Sequence, residues 1–149
     1  MEGIEIDVNK ILAPALVRIT NDQALKQLLS GNFKAVKGPR RPTNAAGNYF
    51  TVHILTNNSD PDSKVHNGTL LICFYCPNYS TGNANVELMG PVAARVAELF
   101  DDAPLTMESY NNFNLVVEEP LGPLFDPAYP SESFMTVRIR FNLIKKGSV

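Results

Sequence analysis

The chain has 149 residues and a formal net charge of −2, which fits one domain (1–149) able to bury a core and offers no global basic field for nucleic acid. Apolar residues make up 44% and charged residues 19%, a balance too apolar for a disordered chain. The acidic start, Met1 to Asp7, lacks the layout of a signal peptide, and no run approaches the ~18 apolar residues of a membrane span, so the expectation is a soluble protein made in a cytoplasm.

Asn9 to Leu29 reads as an interrupted helix. Ile11, Leu12, Ala15, Leu16 and Ile19 recur at helical spacing, and Pro14 fits a first turn if Asp7 or Asn9 is the cap. Thr20-Asn21-Asp22 then stops the helix and caps a second one. There Leu25, Leu28 and Leu29 share a side before Gly31, a C-terminal glycine. Asn32 to Asn48 is a basic, turn-rich connection holding Lys34, Lys37, Arg40 and Arg41 among glycines and prolines. Two readings compete for it, a phosphate-binding patch and a solvated loop with a short strand at 33–36. A charge cluster this small favours the second.

Tyr49 to Thr56 alternates as a strand, with Phe50, Val52 and Ile54 opposite Thr51, His53 and Leu55. Asn57 to Ser63, including Asp60 and Asp62, is expected to be a long hairpin tip. It lacks the glycine and terminal Glu of a calcium loop, and tips of this kind carry contacts to partners. Val65 to Tyr75 is the next strand. Its consecutive apolar stretch, Leu70 to Phe74, predicts a central strand covered on both faces. His53 and His66 flank the same hairpin and are candidates to approach one another, although a histidine pair without a carboxylate is more often polar surface.

Cys73 and Cys76 are the two cysteines. Residues three apart on a strand point to opposite faces, which suits neither a shared metal nor a disulfide; two thiolates also make only half a structural zinc site. We read them as small buried hydrophobes. After a turn-rich loop, Asn85 to Phe100 is the main helix, with an apolar stripe of Val86, Met89, Ala93, Val96 and Phe100 widened by Val92 and Leu99. Pro91 should kink it or mark its first turn. Arg95 and Glu98 are spaced as a surface pair.

Phe113 to Glu118 is a short alternating strand. The connector from Glu119 to Ser133 holds four prolines with Leu121, Leu124, Phe125 and Tyr129. It is too apolar for a free linker and should lie against a surface, its own or a neighbour's. The last strand, Phe134 to Ile144, alternates cleanly. Met135, Val137, Ile139, Phe141 and Leu143 face a core, and Thr136, Arg138, Arg140 and Asn142 the opposite side. The predicted fold is α+β, a mostly antiparallel sheet of about four to five strands carrying one amphipathic helix and a short N-terminal helical pair.

The sequence holds no carboxylate pair, Ser-His-Asp set or glycine-rich phosphate loop that would mark an enzyme, so no catalytic, cofactor or metal residue is assigned. The layout is similar to that of the tail terminator (tail completion) proteins of long-tailed bacteriophages. Five stretches carry the resemblance: the Ala15-Leu16-Val17 helix; the Asn21-Asp22 break; the segment from Gln23 to Gly31 ending Leu-Leu-Ser-Gly; Tyr49-Phe50-Thr51-Val52; and Gly68-Thr69-Leu70-Leu71-Ile72. The likeness is one of layout and size over nearly the whole chain. It departs in the long tip at 57–67 and in the proline-rich connector.

The resemblance implies a non-enzymatic virion protein at the tail–head junction, assembled in the host cytoplasm. Its partners would be its own copies in a hexameric ring, the major tail tube protein and the head-completion or connector protein. DNA would pass through the ring without sequence-specific binding, and no cofactor or membrane would be involved. On that reading Leu121, Leu124, Phe125, Tyr129, Asp60 and Asp62 are candidate subunit contacts. Arg138, Arg140, Lys37, Arg40 and Arg41 are candidates to face the lumen, with plain surface as the competing role for the two strand arginines. The alternatives are a neighbouring head-completion or neck subunit, a small ferredoxin-like enzyme, and an adaptor binding a peptide at a sheet edge.

Overall fold

A computed structural model describes residues 9–38, 47–60, 65–101, 103, 105 and 110–145. Helices α1 (Asn9–Thr20) and α2 (Gln23–Leu28) precede strands β1 (Lys34–Lys37), β2 (Tyr49–Asp60) and β3 (Val65–Pro77). Helix α3 (Val86–Phe100) and strands β4 (Tyr110–Val117), β5 (Leu121–Leu124) and β6 (Glu132–Lys145) complete the chain. One six-stranded sheet runs β1-β2-β3-β6-β4, with β5 also paired to β6. All pairings are antiparallel except β1 with β2, so the α+β expectation holds.

The two helix breaks follow from local chemistry. Asp22 caps α2 by accepting a hydrogen bond from the Leu25 amide at 3.0 Å, and Asn85 caps α3 through the Leu88 amide at 3.2 Å. Gly31 closes the second helix in the left-handed region, φ 73°, where its N–H bonds the Lys26 carbonyl at 2.7 Å. Pro14 is the sixth residue of α1 and not in its first turn as described. Pro91 likewise lies inside α3, on its exposed side.

The helices all pack on one face of the sheet. Met89, Val92, Ala93, Val96 and Phe100 of α3 join Phe50, Val52, Leu70, Ile72, Val137, Ile139, Phe141 and Leu143 in a single buried cluster that also takes in Ile11, Ala15, Ile19 and Leu25. At ~1.5–3 kcal/mol for each large apolar side chain this layer dominates the stability of the fold. Val86, expected in the stripe, is 51% exposed; it is the first helical residue, directly after the Asn85 cap.

Three further expectations are corrected. The stretch 57–60 continues β2, pairing Asn57 with Gly68 through Asp60 with Val65, so this part of the expected tip is strand; the expected tip at 61–63 lies outside the described residues. The alternation in β2 slips at Leu55, where the register shifts between Ile54 and Thr56 and the leucine is left 49% exposed. β3 is central, as predicted, but among the described residues no helix covers its second face. Leu71 and Tyr75 remain half-buried there. On that face Leu71 stands between His53 and Arg138, and Cys73 between Thr51 and Thr136.

Candidate functional site

The connector edge is the most unusual surface. β4 and β5 follow one another along the same side of β6: Val117 pairs with Ile139, the Glu118 amide bonds the Arg138 carbonyl at 2.9 Å, and Leu121 pairs with Thr136. The backbone of the connector thus lies against its own sheet. Its side chains do not. Leu121 is 47% exposed, Leu124 42%, Phe125 69% and Tyr129 45%. Gly122 makes the close approach possible. It sits at φ 137°, and a Cβ there would come within 2.6 Å of the Met135 sulfur. Past β5 the segment is anchored by Asn78, whose amide N–H bonds the Ser131 carbonyl at 2.9 Å and whose Oδ1 accepts from Ser133 Oγ at 2.6 Å. Leu124, Phe125 and Pro130 line a cleft of about 390 Å³ against the loop at Asn78–Ala84.

The open face of the sheet is built in rows. Tyr49, Tyr75 and Phe134 are cross-strand neighbours whose rings stack at 4.7 and 5.0 Å. Tyr49 donates its hydroxyl to Glu132 Oε1 at 2.8 Å, and both are buried although none of the described helices lies over them. Thr51, Cys73 and Thr136 form the next row, with the Cys73 sulfur 3.8 Å from Thr136 Oγ1. Arg138 and Arg140 stand exposed beyond them, and Arg140 pairs with Glu118 at 3.4 Å.

The candidate cations among the described residues do not form one patch. Arg138 and Arg140 belong to the open face, whereas Lys37 ends β1 at the opposite edge, on the helix side, and donates to Asn9 Oδ1 at 2.6 Å. Arg40 and Arg41 lie outside the described residues. Of the two acidic contacts, Asp60 is the last residue of β2 and Asp62 lies outside the described residues.

The histidines are separated. His53 is opposite Leu71 on the open face, while His66 pairs with Leu143 on the core face, five residues further along β3 or about 17 Å. Burial lowers the pKa of both. The cysteines are free and buried and lie on opposite faces, as their spacing predicts. Burial raises both thiols, Cys76 to about 11 with help from the Glu132 carboxylate. Among the described residues no group of three or more His, Cys, Asp and Glu side chains is arranged to hold a metal ion.

Sequence reading missed one part-buried polar link. Arg95 does meet Glu98 at 3.2 Å, but its main partner is Asp22, held through Nε at 2.9 Å and Nη2 at 2.7 Å. The forked contact ties the cap of α2 to α3. The Arg95 guanidinium is the main reason the Asp22 carboxyl is held below the usual range. Only the tertiary fold brings residues 73 apart together, so no local pattern announces the pair.

No protein-family model matches the sequence, and no curated protein does. Solved structures do share its shape. A chain from the virion of a native gene transfer agent particle is 15% identical with a TM-score of 0.69, the match covering 93% of this chain and 98% of that one. A second solved chain is 13% identical with a TM-score of 0.57, covering 93% and 96%. At these identities the likeness is one of fold, and it spans nearly the full length of all three chains.

Proposed function

We propose that this chain is a structural, non-enzymatic virion protein, a tail terminator that forms a ring on the last tier of the tail tube, stops its polymerisation and joins the tail to the head-side connector. The observation that carries the reading is the near full-length fold likeness to a chain of a gene transfer agent virion. The exposed connector supports it: Leu121, Leu124, Phe125 and Tyr129 offer an apolar edge, and burying three or four such side chains at about 1.5–3 kcal/mol each would supply useful association energy. A contact between unlike surfaces, repeated by a rotation that closes, gives a ring; a self-complementary one stops at a dimer.

The partners on this reading are further copies of the chain, the tail tube protein and the head-side connector, at the tail–head junction of the virion. Electron microscopy of particles assembled without the protein tests it. Overlong or ragged tails are expected. Tails of normal length detached from heads would fit a head-completion or neck subunit equally well. The double substitution Leu124→Asp with Phe125→Asp should leave the fold intact, since both side chains are largely exposed, and abolish capping. A double variant that still caps tails would remove the connector from the interface.

A further inference from the structure

Resting on the ring reading, we infer that the connector edge of one copy docks on the β1 edge of the next, with Phe125 entering the groove lined by Gly31, Asn32 and Phe33. The register of the sheet carries this. Lys34 pairs with Tyr49, Tyr49 with Tyr75, Tyr75 with Phe134 and Phe134 with Leu124. Lys34 and Leu124 therefore end the same cross-strand row, on opposite edges of the sheet and about 19 Å apart. A second row repeats the match. Lys37, Val52, Ile72 and Val137 are aligned, and Glu119 stands beside Val137, between Glu118 at Arg138 and Leu121 at Thr136. Two copies set side by side at equal height thus bring the apolar tip to Lys34 and Glu119 to Lys37.

The chemistry of the two edges is complementary. The connector side is acidic and apolar, with Glu119 and Asp126 both exposed along it. The β1 side carries the exposed ammonium groups of Lys34 and Lys37. Its groove, about 340 Å³, is floored by glycines at positions 31 and 47 and walled by the half-buried ring of Phe33. Phe33 is already held edge-on to Phe50 at 5.5 Å, so an incoming ring meets a fixed partner. Sheet extension is the competing way for two edges to join, and both edges are built against it. β1 is short and flanked by lysines, and the connector edge carries Pro120 and Pro123, while Asp101 Oδ1 accepts the Val117 amide at 3.2 Å. The contact is therefore one of side chains. The partner it fits is a second copy of this chain, in head-to-tail order.

Cross-linking of the full chain tests the pairing. Asn32→Cys and Phe125→Cys combined in one chain, oxidised with copper phenanthroline, should give a ladder of intermolecular disulfides ending in a closed ring, while each single variant gives at most a dimer. The native thiols are buried and leave the ladder to the new ones. In sedimentation, Phe125→Asp should weaken association by about thirtyfold or more. Glu119→Lys and Lys37→Glu should each weaken it and restore it when combined. A wild-type ring whose variants give neither the ladder nor the rescue overturns the pairing and leaves the ring reading standing. A wild-type chain that forms no ring either at the highest attainable concentration or on the end of the tail tube, with no cross-link in either setting, overturns both.

Discussion

Asp22 shows how much one side chain can hold together. Its carboxylate caps α2 and receives the fork of Arg95, with only 8% of the side chain exposed. Hydrogen bonds to charged groups are worth about 1.5–3 kcal/mol where removal leaves a buried partner unpaired, so Arg95→Met should destabilise by roughly that amount at neutral pH. Because the folded carboxyl is held down by Arg95, the link is fully present above the ordinary carboxylate range near pH ~4 and is lost as pH falls through the lower folded value. Urea melts from pH 7 to pH 2 should show the gap between wild type and Arg95→Met closing on the acid side. A gap that is constant with pH would mean the two groups are coupled only by packing. The sequence showed Asp22 as a cap and Arg95 as a surface partner of Glu98, and both roles are real. What it could not show is that one carboxylate serves two elements, because that depends on the position of α2 over α3.

At the scale of elements, α3 carries two residues that oppose a helix, Gly90 and Pro91, both on its solvent side. A Cβ at Gly90 would meet nothing within 4 Å, so Gly90→Ala should stabilise by about 0.5–1 kcal/mol through propensity alone. Thermal melts read this directly, and a destabilised variant would show that the glycine is needed beside Pro91 for a reason other than propensity. The helix itself was legible from its 3.6-residue stripe, as were the helical pair, the central hairpin and the final strand with its two faces. The misses are also physical. β2 continues through Asn57–Asp60, a polar run without strand propensity, because β3 offers paired backbone along its whole length. β5 hid in a proline-rich segment because its ladder to β6 is interrupted at Pro123 and needs only the pairs at Leu121 and Leu124. Of the candidate contacts, the exposure of the connector was foreseeable from composition. The groove at Gly31–Phe33 was not, since it exists only where β1 runs parallel to β2.

Among the described residues the molecule is a sheet with helices on one side only, and stability should follow that asymmetry. β3 lies between β2 and β6, paired with β6 from Val65 to Pro77, and its core face meets α3. Opening any part of it exposes the buried cluster. β5, by contrast, has two paired positions and no buried side chain, and β1 has four pairs at an edge. Local unfolding free energy scales with the buried apolar contacts a segment must surrender. Native-state hydrogen exchange should therefore place the slowest amides in β3 and the centre of β6, exchanging only through global unfolding. Those of β5 should open locally at little cost, leaving the exposed edge adaptable until a partner orders it. If the chain associates through that edge, β5 amides are the ones whose protection should rise with protein concentration, while β3 stays at its ceiling. Equal protection of β5 and β3 in dilute protein would show that the connector belongs to the core of the fold and is not a surface waiting for a neighbour.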